Sequence, residues 1–198
     1  MREFIYFSNR ARTTGNFPTE NLMDAGRMDI AIHSVIHAFF ISHNMRDDVK
    51  VHLLFNGPPD PPKHILLDPK GQKTIGKIQI SKKDIANLIK KMLYKYKSGK
   101  NTIVEPGFEV EKKSLFKLIE EMQKDGKEVY VLDDKGEDIR KIKIADNPVF
   151  LLGDNDGFNK KELKKLKSMA TPVSVGNKTY FASQVVTIVN NELDRRGI

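Results

Sequence analysis

Apolar residues recur along the chain in two rhythms, and their succession sets the expected architecture. Short apolar or alternating runs at residues 4–7, 49–55, 64–67, 128–132, 148–152 and 172–175 read as strands. In the second of these, Val49, Val51, Leu53 and Phe55 share one side. Between the runs lie stretches with helical spacing. Residues 28–43 carry apolar side chains at 28, 31, 32, 35, 36, 39 and 40. Ser81 caps a helix whose stripe is Ile85, Leu88, Ile89, Met92, Leu93 and Tyr96 and whose other face carries Lys82, Lys83, Lys90, Lys91, Lys95 and Lys97. A helix over residues 114–124 stops at Gly126, the capping box Asn159-Lys-Lys-Glu162 opens another to residue 169, and the last runs over 181–195. Short strands separated by amphipathic helices predict an α/β fold, a mainly parallel sheet covered on both faces.

Ligands in such sheets bind at the carboxyl ends of the strands. Glycine or acidic residues stand there in Leu132-Asp133, Gly153-Asp154 and Gly176-Asn177, which makes those ends the expected cofactor site.

Composition narrows the possibilities. The 198 residues contain no Cys and no Trp, which excludes a disulfide scaffold, a Cys-based zinc site and a thiol nucleophile. No apolar run approaches the ~20 residues of a membrane helix, and the apolar patch in MREFIYFSNR is too short for a signal peptide. The expectation is a soluble, cytoplasmic protein. The net charge of +8 is unevenly placed: residues 1–100 hold 17 Lys+Arg against 9 Asp+Glu, whereas residues 101–198 hold 17 of each. A basic excess confined to one half is the footprint of a polyanion partner, although a solvated surface or a heat-adapted composition gives the same count.

Several local patterns carry candidate chemistry. Gly71-Gln-Lys-Thr-Ile-Gly76-Lys77 follows a phosphate-binding loop until Ile78, where magnesium binding needs Ser or Thr. His33 and His37 have the spacing of paired metal ligands, but Ser34 replaces the Glu of a metalloprotease. Asp154-Asn-Asp156-Gly157 opens like a calcium loop yet has Lys165 at the twelfth position, so a tight acidic strand-to-helix turn is expected and no metal. G-x-G-x-x-G and G-x-S-x-G are both absent. In Gly57-Pro58-Pro59-Asp60-Pro61-Pro62 the prolines impose a stiff extended loop that presents Asp60.

Four ordered segments carry a resemblance: Gly26-Arg-Met-Asp29, the loop 57–62, Phe150-Leu-Leu-Gly-Asp-Asn-Asp-Gly-Phe158, and Ser174-Val-Gly176 with Asn191-Glu-Leu-Asp-Arg-Arg196. Together they resemble the TrmY family of archaeal tRNA pseudouridine-54 N1-methyltransferases, in the SPOUT superfamily, over nearly the whole chain. The resemblance implies one domain over residues 1–198 with a SPOUT-type α/β trefoil knot, a basic RNA-binding half over about 1–100 and a cofactor-binding knot half over about 128–198. It implies a homodimer, tRNA as partner, and S-adenosylmethionine (SAM) held by Leu132, Gly153, Ser174, Val175, Gly176, Asn177, Lys178, Thr179, Phe181 and Ala182. Many relatives have His-Cys where this chain has Gln184-Val185, so a role for that cysteine is not required here. Asp60 is the first candidate for accepting the N1 proton or orienting the base, and Asp29 the second; Arg12 and Arg27 are candidates for phosphate or carboxylate contacts. Two alternatives stand beside this reading: a pseudouridine N1-methyltransferase acting on small-subunit rRNA, and a non-catalytic RNA-binding module.

Overall fold

The computed structural model describes residues 1–71 and 81–198. The phosphate-loop pattern falls largely outside them. Ten strands and five α-helices follow in the order β1 (Arg2–Ser8), α1 (Met28–Phe39), β2 (Phe40–Ile41), β3 (Asn44–Met45), β4 (Val49–Phe55), β5 (Lys63–Leu67), α2 (Lys82–Lys95), β6 (Thr102–Glu105), β7 (Phe108–Glu111), α3 (Leu115–Lys124), β8 (Glu128–Asp138), β9 (Pro148–Gly153), α4 (Lys160–Met169), β10 (Thr171–Ser174) and α5 (Ala182–Arg196), counted among the described residues.

Eight strands form one sheet in the order β10-β8-β9-β1-β4-β5-β7-β6. The first five are mutually parallel. From β5 outward the pairing is antiparallel. Chain length explains the change. A parallel return needs a crossover of about a dozen residues, and only seven separate Phe55 from Lys63.

Period-two alternation distributes the strand side chains between two cores. Phe4, Tyr6, Val51, Leu53, Ile65, Val110 and Phe150 pack with α1, α2 and α5. On the opposite face Ile5, Phe7, Leu54, Val129, Val131 and Leu151 meet Leu118, Ile119 and Met122 of α3 and Leu166 of α4. The caps are as expected from sequence: Ser81 and Ser114 accept from the backbones of Asp84 and Lys117, and Asn159 and Glu162 form a reciprocal box.

Three expectations are corrected. Helix α1 ends at Phe39 rather than residue 43, because the chain turns into the β2–β3 pair with His43 at φ 67°. The β6–β7 hairpin, around Pro106-Gly107 with Gly107 at φ 79°, was not expected. Strand β8 extends past residue 132 to Asp138, which pairs with Ser174.

Candidate active site

That extension builds one wall of a cavity. Strand β10 pairs Thr171 and Pro172 with Tyr130 and Val131, then skips to Glu137 and Asp138. Residues 132–136 therefore bulge from the ladder, displacing Leu132, Asp133 and Asp134 outward at the sheet end. Gly136 closes the bulge against β10, where a Cβ would stand 2.5 Å from the Val173 backbone.

The second wall follows β9. Gly153 leads into a turn in which the Gly157 amide donates to the Asp154 carbonyl at 3.0 Å and the Asp156 amide to Asp154 Oδ1 at 3.0 Å. This is the tight acidic turn read from the sequence. Phe158 stacks on Phe7 with centroids 5.6 Å apart, anchoring the turn to β1. The third wall follows β10, where the Ser174 hydroxyl accepts from the Gly176 amide at 3.1 Å and donates to its carbonyl at 2.9 Å. Gly176 takes φ 137°, with open space where a Cβ would lie.

Together these turns and the start of α5 enclose a cavity of about 540 Å³. Leu132, Leu152, Val173, Val175, Ala182 and Val185 supply apolar surface, and Asp133, Asp134, Asp154 and Lys178 supply charge. Of the cofactor residues expected from sequence, Leu132, Gly153, Ser174, Val175, Gly176, Lys178, Thr179, Phe181 and Ala182 line it, and Asn177 does not. Sequence reasoning missed Ile30, which reaches the cavity from α1, and Tyr180 beside Phe181. Nothing near Ile30 in sequence signals this.

Its size and its mixture of apolar walls and acidic side chains suit a small organic ligand with apolar and cationic parts. The full chain, residues 1–198, matches the family described as "Putative SAM-dependent RNA methyltransferase". The chain belongs to this family. Among its relatives, the tRNA (pseudouridine(54)-N(1))-methyltransferase of Methanococcoides burtonii is 34% identical over 198 residues, covering 98% of this chain and 96% of that one. The enzyme of the same name from Pyrococcus abyssi is 35% identical over 213 residues, with both chains fully covered. In fold, the chain is similar to Archaeoglobus fulgidus Nep1 crystallised with S-adenosylhomocysteine, with a TM-score of 0.65, 14% identity, and 100% and 99% of the two chains covered.

In this member of the RNA methyltransferase family, two of the sequence segments singled out above converge on one atom. A Cβ on Gly26 would stand 1.8 Å from the Arg10 carbonyl oxygen, and one on Gly57 would stand 2.2 Å from the same oxygen. The loop after β1 is thus clamped between Gly26-Arg-Met-Asp29 and the proline-rich loop, and only glycine permits either approach. Thr13 completes the clamp by donating to the Gly57 carbonyl and accepting from the Asp60 amide, each at 2.9 Å.

Asp60 projects from that loop, half exposed, and does not line the cavity. It is ion-paired with Lys63 at 2.6 Å and with Lys112. Hydrogen bonds from Lys112 and Lys63 hold its carboxyl down at about 2. Lys63 is itself only 1% exposed and lies over the Tyr96 ring at 4.1 Å. Asp29, in the first turn of α1 beside Ile30, is held bidentately by Arg27 at 3.0 and 2.9 Å. Burial pushes the Asp29 carboxyl up, and Arg27 outweighs it, leaving the carboxyl below its ordinary range. Arg27 sits at φ 62°, a left-handed conformation unusual for a side chain of its size. Arg12 is exposed, and its guanidinium has no ion-pair partner among the described residues.

No group of three His, Cys, Asp or Glu able to hold a metal ion occurs among the described residues. His37 instead meets the Thr187 hydroxyl at 2.8 Å. No helix among them is long and apolar enough to cross a membrane.

Proposed function

We propose that this protein is a SAM-dependent methyltransferase that methylates N1 of pseudouridine 54 in the T-loop of tRNA. The observation that carries the reading is the cavity at the carboxyl ends of β8, β9 and β10, in a chain belonging to an RNA methyltransferase family throughout its length. The relatives named for methylation of pseudouridine 54 support the substrate.

When bound, SAM supplies an electrophilic methyl group on a sulfonium. Leu132, Leu152, Val173 and Ala182 would exclude water around the adenine, and the backbone near Gly153 and Gly176 would hold the ribose and the methionine tail. The chain's main task is alignment of donor and acceptor, since positioning alone supplies several kcal/mol of a displacement barrier. Substrate choice follows from connectivity. Only the carbon-linked isomer of uridine leaves N1 free with a hydrogen.

Asp60 has two ammonium partners and a carboxyl near 2, which suits it to orienting the base by accepting a hydrogen bond rather than to removing a proton at neutral pH. Asp29 fixes Arg27, which with Arg12 contacts phosphates of the RNA. The basic half, about residues 1–100, grips the tRNA backbone and the half from about 128 holds the cofactor, within one domain over residues 1–198. The part from about residue 149 passes through a loop as a trefoil knot. The working unit is a homodimer in the cytoplasm, and Phe181, 70% exposed at the cavity lip, offers apolar surface for a second copy to bury.

The deciding experiment is methyl transfer to tRNA transcripts with pseudouridine or uridine at position 54. Labelling of the pseudouridine form alone is expected. Equal labelling of both, or labelling of small-subunit rRNA instead, would overturn the assignment.

A further inference from the structure

The cavity carries a charge opposite to that of the chain. The protein has a net charge of +8, yet three carboxylates and one ammonium line this space. The three acids are not equivalent. Asp133 is paired with Lys167. Asp134 is exposed, so water screens it. Asp154 is 9% exposed, and no lysine, arginine or histidine nitrogen forms an ion pair with it among the described residues.

What holds Asp154 is neutral. Its Oδ2 accepts from the Ser8 hydroxyl at 2.7 Å and its Oδ1 from the Asp156 amide at 3.0 Å. Ser8 is itself completely buried and accepts from the amides of Arg10 and Ala11 at 3.1 and 3.0 Å, so its hydroxyl is oriented to donate to the carboxylate. Arg10 pairs with Asp156 instead, at 2.5 Å, and Arg27, whose guanidinium feels the Asp154 carboxylate, is held bidentately by Asp29. The charge of Asp154 is felt by its neighbours: burial first, then the Asp154 and Asp29 carboxylates, push the Tyr6 phenol upward. A carboxylate taken out of water without a counter-ion is costly, and a cationic ligand in the same cavity offsets that cost.

We propose that Asp154 is the residue by which this protein distinguishes the charged methyl donor from its spent product. The inference rests on the SAM reading given above. The donor carries a fixed positive charge on sulfur and the thioether product does not, while the rest of the two molecules is shared. A buried anion lining the cavity therefore favours the donor and lets the product leave. Because the sulfonium keeps much of its charge in the transition state, this interaction is largely shared by the bound ground state and the transition state, so Asp154 is a specificity residue and acts on KM more than on kcat. Ser8 is its positioning residue.

The test is calorimetric titration of wild-type, Asp154→Asn, Ser8→Ala and Asp156→Asn proteins with SAM and, separately, with S-adenosylhomocysteine. Asp154→Asn is expected to weaken SAM about tenfold and the thioether less than about twofold, the size of one charge pair in a partly screened site. Asp156→Asn leaves the ratio unchanged, and Ser8→Ala lowers it less than Asp154→Asn. In methyl transfer to tRNA, KM for SAM rises while kcat stays within about threefold. Equal weakening of both ligands would mean a merely structural role and overturn the proposal, as would an unaltered ratio. Should Asp154→Asn fail to fold, the wild-type protein is titrated with an adenosyl analogue bearing an amine in place of the sulfonium. Tighter binding of that analogue than of the thioether is expected, and equal binding overturns the proposal. No heat with any of the three ligands would instead overturn the cofactor reading itself.

Discussion

Arg2 and Asp194 join the first strand to the last helix, with Arg2 Nη1 donating to Asp194 Oδ1 at 2.8 Å across 192 positions of sequence. Arg2 is 4% exposed and also meets Asp48 and the Asn190 carbonyl. Arg46 grips both oxygens of Asp194. Burial pushes the Asp194 carboxyl up, and the two arginines outweigh it and hold it below its ordinary range. Replacing Asp194 with Asn is expected to lower stability by about 1–3 kcal/mol, since Arg2 keeps some partners and loses the central one. Urea unfolding at neutral pH measures this, and a change below about 0.5 kcal/mol would contradict it.

Acid sensitivity is expected from a buried ladder across four strands. Glu3 accepts from His52 at 3.0 Å, His52 meets His64 at 2.9 Å, and His64 meets Glu111 at 3.1 Å. Burial raises Glu3, but His52 and Lys127 bring it down to about 2; the His64 hydrogen bond and Lys113 bring Glu111 down to about 2 against burial. Burial drives His64 down to about 4 despite Glu111. Each folded value lies below its unfolded one, so the associated stability is present above pH 6.5 for the histidine and above pH 4.5 for the glutamates. It is lost as pH falls through 4 and 2 respectively. Urea midpoints should decline steadily below pH 6.5, and a rise between pH 6.5 and 4 would refute this account.

Gly57 is a packing requirement before it is a functional one. Gly57→Ala places a methyl group 2.2 Å from the Arg10 carbonyl oxygen, where backbone must move. The expected cost is about 1–3 kcal/mol, with displacement of Asp60 and Arg12. Thermal unfolding and tRNA methylation should fall together. Unchanged melting would show that the loop relaxes freely.

The lysine face of α2 makes a prediction about RNA alone. Lys83 and Lys95 are exposed and have no ion-pair partner among the described residues, whereas Lys91 is paired with Glu105. Reversing both to Glu should weaken tRNA binding about tenfold or more at low salt and reduce the slope of log affinity on log salt by about 2. Cofactor titration is the control. Loss of cofactor binding in the same variant would point to misfolding instead.

Periodicity was a good guide where a segment is buried by its own pattern. The stripe of α2, the capping box of α4 and the strand at Val49–Phe55 all lie where alternation and caps place them. It failed where pairing overrides composition. Residues 133–138 lie beyond the strand expected at 128–132, yet Glu137 and Asp138 join the sheet because Val173 and Ser174 lie alongside. The β6–β7 hairpin is signalled locally, by Pro106-Gly107 between alternating residues.

Most helices and central strands, the basic bias of the first half, and the glycine and acidic residues that mark the strand ends are legible in the chain before it folds. These are local properties, written in spacing of 2 and 3.6 residues and in charge. Packing of distant segments is what presses Gly26 and Gly57 onto one carbonyl, brings Ile30 of α1 to the cavity, and sets the Ser8 hydroxyl against the buried Asp154 carboxylate. Those relationships join residues 16 to 146 positions apart. Which side chains meet at such separations is settled by strand order and register, and no local pattern encodes either.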